Sequence, residues 1–152
     1  MKFYAFVLTI LWAVAIPTFA QTSEVMDGII ATPAISVSQA SYLVFVASGK
    51  LAEDATQDKA YELFLNLGWM KNPGDSSRAL KSSEYAYLLA RSFGLQAGIF
   101  ETLFPGPRYA YRDLVSQGIF SAQGDPDEPL TGVEAVRILS TVMDSLPAGA
   151  RS

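Results

Sequence analysis

From residue 35 onward, apolar positions recur at spacings of three and four, a period that predicts helices throughout and no strands. Four stripes carry the signal. They are Ala60, Leu63, Phe64 and Leu67; Tyr85, Leu88, Leu89 and Ser92, flanked by Phe93; Tyr111, Leu114 and Val115; and Ala135, Ile138, Leu139 and Val142, extended by Leu146. Each lies on one face of a helix. Burying a Leu or Phe side chain is worth roughly 1.5–3 kcal/mol, so these stripes are read as core and not as cofactor contacts. The predicted helices cover residues 37–48, 56–67, 82–93, 98–104, 107–117 and 132–146.

The residues at the helix ends support these limits. Pro107 suits a first helical turn, where its missing N–H would have been unpaired anyway. Gly68 and Gly118 stand where a left-handed residue closes a helix. Ser36-x-x-Gln39 and Thr131-x-x-Glu134 fit a capping box, in which the hydroxyl and the third-position side chain each satisfy a free backbone N–H. Lys81-x-x-Glu84 keeps the acid without the hydroxyl, which leaves Ser82 as the expected cap.

The chain also repeats itself. A shift of fifty residues lays Ala60-Tyr61 on Ala110-Tyr111, Gly68 on Gly118 and Gly74-Asp75 on Gly124-Asp125. It also lays Leu80 on Leu130, Glu84 on Glu134 and Leu89 on Leu139. A half copy precedes these units, with Ile35 to Gln39 over Leu80 to Glu84. Repeats of this length imply a small supersecondary unit that buries its apolar face against its neighbours. The expected fold is all-α: about two and a half helix-loop-helix units packed as one small bundle over residues 35–147. Residues 21–34 show no clear period and are expected to form a loosely ordered N-terminal arm, and 148–152 a flexible tail.

Residues 1–20 change the picture from cytosolic to exported. One charge, Lys2, is followed by an apolar run and then Pro17-Thr18-Phe19-Ala20, which places small residues where a signal peptidase reads them. The mature chain is expected to begin at Gln21, to hold no membrane span, and to reside in the periplasm or cell envelope. The apolar run is short for a bilayer-spanning helix of ~20 residues. There is no cysteine, so neither a disulfide framework nor a lipid-attachment cysteine is available. The net charge of −4 comes with no basic cluster, which argues against a nucleic-acid partner. Histidine is absent, removing the commonest general base and transition-metal ligand.

Candidate chemistry is therefore sparse. Arg108, Tyr109 and Arg112 open one helix, with the two arginines on one face. They could receive a carboxylate or phosphate at the positive end of the helix dipole, or form a solvated face. Trp69, Tyr85, Tyr87 and Tyr109 could offer flat surface to a sugar ring; alternatively, Trp69 plugs a helix junction. Asp125, Asp127 and Glu128 lack the alternating ligand pattern of a calcium loop, so no metal or other cofactor is expected. Glu84 and Glu134 could be imagined as the paired acids of a glycan hydrolase, but capping already accounts for both, and no enzyme activity is expected.

Over residues 35–146 the chain resembles the S-layer homology family of bacterial cell envelopes. The resemblance is carried by Ala110-Tyr111, Leu114, Gly118, Ile119, the Gly124-Asp125 loop and Leu130-Thr131-x-x-Glu134. It implies paired helices, usually in sets of three, and attachment to cell-wall polymers. The family's second helix usually opens Ile-Thr-Arg-Ala-Glu, and its arginine helps to hold the anionic polymer. Here Val37, Ser82 and Gly132 occupy the arginine position. The expectation is an exported, non-catalytic envelope module whose partner is a cell-wall glycan or an envelope protein. The alternative is a protein–protein scaffold without glycan binding.

Overall fold

The computed structural model describes residues 18–95, 98 and 102–147, with side chains from Ser23 onward. The helices that lie wholly among the described residues are α1 (Thr18–Ile30), α2 (Val37–Ala47), α3 (Gln57–Leu67), α4 (Ser82–Phe93), α5 (Pro107–Ser116) and α6 (Gly132–Ser145). There are no strands among the described residues. Five helices fall within a residue or so of the limits set by the apolar period. Of the expected helix at 98–104, Thr102 and Leu103 are helical, while residues 99–101, like residues 1–17 and the tail, lie outside the described residues.

The 21–34 arm requires correction, because α1 occupies most of it. No acid stands in its first turn and no base in its last, so the usual end signals are missing. Its order comes from packing, the main source of stability for short helices. Ile29 is fully buried, and Val25 and Met26 lie against the core. α1 stands before the half copy, so the described helices can be grouped as three pairs: α1 with α2, α3 with α4, and α5 with α6.

The pairs close into a ring. α2 packs against α3, α4 against α5, and α6 against α1, while α2, α4 and α6 touch one another at the centre. The inner helices are accordingly apolar around much of their circumference. On α4, only Glu84, Arg91 and Phe93 escape full burial. Tyr85 stands where the repeat places Ala40 and Ala135, and all three are completely buried. Its hydroxyl donates to the Ala135 carbonyl at 2.9 Å, which satisfies the polar tip inside the core. Burial pushes the Tyr85 hydroxyl pKa well above its ordinary value, so it stays protonated.

Backbone hydrogen bonds join each unit to the next. The first two N–H groups of α2 reach the carbonyls of Arg78 and Ser76 at 2.9 and 3.0 Å. Those of α4 reach Glu128 and Pro126, both at 2.9 Å. The first N–H of α6 reaches Thr32 at 2.9 Å, completing the circuit through the end of the first pair. Near the centre, Ile35 N–H donates to Leu130 and Leu80 N–H to Ile35, at 2.7 and 2.8 Å. These groups are among the orphan donors every helix start leaves, and here a neighbouring unit satisfies them.

The capping expectations hold at two helices in full and at one in part. Ser36 and Gln39, and Thr131 and Glu134, form complete boxes. At α4 the Glu84 carboxylate accepts from the Lys81 N–H at 3.0 Å, but Ser82 is not the cap. Its hydroxyl donates instead to the Glu128 carbonyl at 2.8 Å, part of the joint to the third pair. After α5, Gly118 is left-handed, at φ 75°, and its N–H and that of Ile119 turn back to Val115 and Leu114. That pair of bonds closes a helix end in the manner expected of a C′ glycine. Gly68 is likewise left-handed after α3.

Gly132 is required by a close approach. A Cβ built there would collide with the carbonyl oxygen of Ile29 at the end of α1. Glycine to alanine in a helix normally gains up to ~1 kcal/mol. At Gly132 the sign should reverse, with Gly132→Ala losing ~1–3 kcal/mol as α1 is forced away. Urea unfolding measures this, and hydrogen exchange should show α1 losing protection first; an unchanged midpoint would refute the close approach.

Candidate functional site

The joint between α4 and α5 carries an open groove of ≈ 530 Å³. Lys81 stands at the start of α4; Phe104 and Pro105 lead into α5; Pro107, Arg108 and Tyr109 form its first turn. Asp127 enters from the loop before α6, where its own N–H donates to the Asp125 carboxylate at 2.8 Å. The groove is therefore shared between the second and third helix pairs.

Asp127 ties the two sides together. One carboxylate oxygen receives the Lys81 ammonium at 3.0 Å and the other receives the Arg108 guanidinium at 2.6 Å. The Lys81 hydrogen bond and the two positive charges hold the Asp127 carboxyl below the usual carboxylate range. Glu84, on the same wall, accepts both terminal nitrogens of Arg78, at 2.8 and 3.1 Å. Aromatic surface completes the site. The rings of Phe104 and Tyr109 lie 6.2 Å apart and 32° from parallel. Phe104 and its neighbour Leu103 are 61% and 64% exposed, two adjacent apolar side chains at the rim.

Of the residues singled out from sequence, Arg108 and Tyr109 come together here. Arg112 is exposed one turn further along α5 and does not line the groove. The neighbouring Asp113 accepts the Gly98 N–H at 2.6 Å. Trp69 belongs to a second hollow, with Arg91, Gly94, Leu95 and Pro105. It packs edge-on against Phe45 at 6.1 Å, and the Arg91 guanidinium lies 5.5 Å from its ring centre. Trp69 is half-buried, packed on the core at one edge and open to the hollow at the other. Tyr85 and Tyr87 are buried and offer no face to a ligand. Lys81, Phe104 and Asp127 were not grouped from sequence, because forty-six residues separate Lys81 from Asp127. The exposed Phe104 before a Pro-Gly-Pro turn was the one local signal.

The position of the motif arginine also has a structural account. Val37, Ser82 and Gly132 are all buried at the first turn of an inner helix, beneath the adjoining unit's loop. A charged side chain there would need a buried partner. The other conspicuous residues of the repeat are structural. Tyr61 and Tyr111 donate to the loop carbonyls of Gly74 and Ser121, pinning each loop to its outer helix. Among the described residues, no acidic cluster has the geometry to hold a metal ion.

The Glu134 box offers a pH test. Hydrogen bonds from the Thr131 N–H and hydroxyl lower the Glu134 pKa below its ordinary value. Because the native value is the lower one, the contribution is complete at neutral pH and is lost as pH falls through it. Glu134→Ala should cost ~0.5–1 kcal/mol at pH 7, and the gap to the parent should shrink as pH falls below the ordinary glutamate range and through the lowered native value. A gap that persists unchanged in acid would show that capping is not the role of Glu134. Gln39→Ala, in the uncharged box, is the pH-independent control.

No protein-family model, characterised protein or solved structure matches this chain.

Proposed function

We propose that this protein is an exported, non-catalytic module of the cell envelope, of the S-layer homology type, that binds cell-wall glycan in the groove between α4 and α5. The observation that carries this reading is the groove itself. An exposed Phe104 and a half-buried Tyr109 stand beside a fixed set of donors and acceptors, at a joint between units, in the form that small-molecule sites take: apolar walls with a few placed polar groups. The closed set of three helix pairs supports the family resemblance, since that family usually occurs in threes. Glu84 and Glu134 are engaged at helix starts, which favours binding over hydrolysis.

Export and ring closure are compatible. Val25, Met26 and Ile29, the α1 residues packed on the core, all follow the expected cleavage point at Ala20. N-terminal sequencing of envelope-purified protein should begin at Gln21, and an intact Met1 would overturn the signal-peptide reading.

The second reading, a protein–protein scaffold, draws on the exposure of Leu103 and Phe104. Retention on purified peptidoglycan sacculi separates the two. The parent protein should be retained, and Arg108→Ala with Tyr109→Ala should reduce retention. Arg108→Ala alone should barely change melting, since an exposed ion pair such as Arg108–Asp127 contributes at most ~1 kcal/mol, and the double variant is compared at a temperature where circular dichroism shows it folded. Retention equal to the parent's would remove the groove from the glycan reading and favour the scaffold.

A further inference from the structure

The joint between α2 and α3 is built as the α4/α5 joint is, with loop carbonyls of the adjoining unit capping the inner helix. The groove residues are not repeated there. Fifty residues before Phe104, Pro105, Arg108 and Tyr109 stand Asp54, Ala55, Asp58 and Lys59. Ser77 replaces Asp127, and Ser36 takes the place of Lys81. The same backbone joint therefore forms without the aromatic pair and without the three-residue charge bridge. Folding does not require them, so their presence at one joint calls for another explanation.

Their charges indicate what that explanation is. The lining holds two cations, Lys81 and Arg108, and two carboxylates, Asp127 and Glu84. Both cations are bound to Asp127. Glu84 is bound to Arg78 and to the Lys81 N–H. An anionic ligand would have to displace Asp127 and would meet two carboxylates in doing so. The chain as a whole, at −4, offers it no compensating attraction. An uncharged ligand needs no such displacement.

We infer that the α4/α5 groove takes uncharged pyranose rings, the apolar ring face lying on Phe104 and Tyr109 and the hydroxyls meeting the Lys81–Asp127–Arg108 bridge. A hydroxyl both donates and accepts, so it can pair with a carboxylate lone pair and an ammonium or guanidinium N–H at once. Aromatic side chains supply flat apolar area for the ring face. The groove's ≈ 530 Å³ lies within the roughly 300–1,000 Å³ of small-molecule sites. The inference rests on the glycan-binding reading and departs from the anionic polymer that the family resemblance implies.

Calorimetric titration of the purified protein tests it with two probes, uncharged chitotetraose and tetra-anionic tetragalacturonate. Chitotetraose should bind, with a Kd changing less than about twofold between roughly 20 and 500 mM NaCl, as expected when no net charge is exchanged. Tyr109→Ala and Phe104→Ala should each weaken it about tenfold or more. Lys59→Ala, at the equivalent of Tyr109 in the α2/α3 joint, should leave it unchanged. Preference for tetragalacturonate, weakened by salt, would overturn the inference while leaving a glycan-binding groove. If neither probe binds but Tyr109→Ala still reduces retention on sacculi, the uncharged-sugar inference fails and the broader reading survives. If Tyr109→Ala changes neither titration nor retention, both fail.

Discussion

Every inner helix begins inside the protein, and an unpaired N–H buried there would cost about as much as a lost hydrogen bond. The rest of the structure depends on how those groups are satisfied. Each of α2, α4 and α6 uses its capping residues for part of the demand and the carbonyls of a different unit's loop for more. A helix pair taken alone would leave these donors to water. The units are thus bound to one another by the same groups that start their helices, and two of the loops are held by Tyr61 and Tyr111 of the outer helices. Residues Val37, Ser82 and Gly132 are small or apolar because they lie beneath those loops.

The centre of the ring shows how a repeated sequence accommodates a point it cannot repeat. The three equivalent positions on the inner helices are all fully buried, and a close-packed interior has little room for large side chains at each. Two are alanine and one is tyrosine, whose hydroxyl crosses to the Ala135 carbonyl. The outer joints show the same freedom. Backbone geometry recurs, while the surface it presents differs from joint to joint, acidic between α2 and α3 and aromatic between α4 and α5.

Much of the fold was legible in the sequence because its strongest rules are local. A 3.6-residue period, Ser or Thr three residues before Gln or Glu, and Gly after the last apolar position set five helices to within a residue or so. α1 escaped because its order comes from burial of Ile29 beside Gly132, a contact across more than one hundred residues. Ser82 escaped for a similar reason: its hydroxyl serves a neighbouring loop and not its own helix. The site was half legible. Arg108 and Tyr109 share a turn, whereas Lys81 and Asp127 reach them only through the ring, and Arg112 points elsewhere despite its favourable spacing.

The pairing of α1 with α6 makes the first described helix the neighbour of the last. The other joints link helices adjacent in sequence, so they can form early and locally, at small cost in loop entropy. The α1–α6 joint must close a loop of about one hundred residues and has no partner until the final helix exists. An intermediate with α2 to α5 assembled and α1 waiting would expose the apolar side of Ile29 and the open end of the ring. Until α6 docks, Ile29 lacks the Gly132 backbone it is buried against, so one missing side chain decides how closely the two ends of the ring can meet.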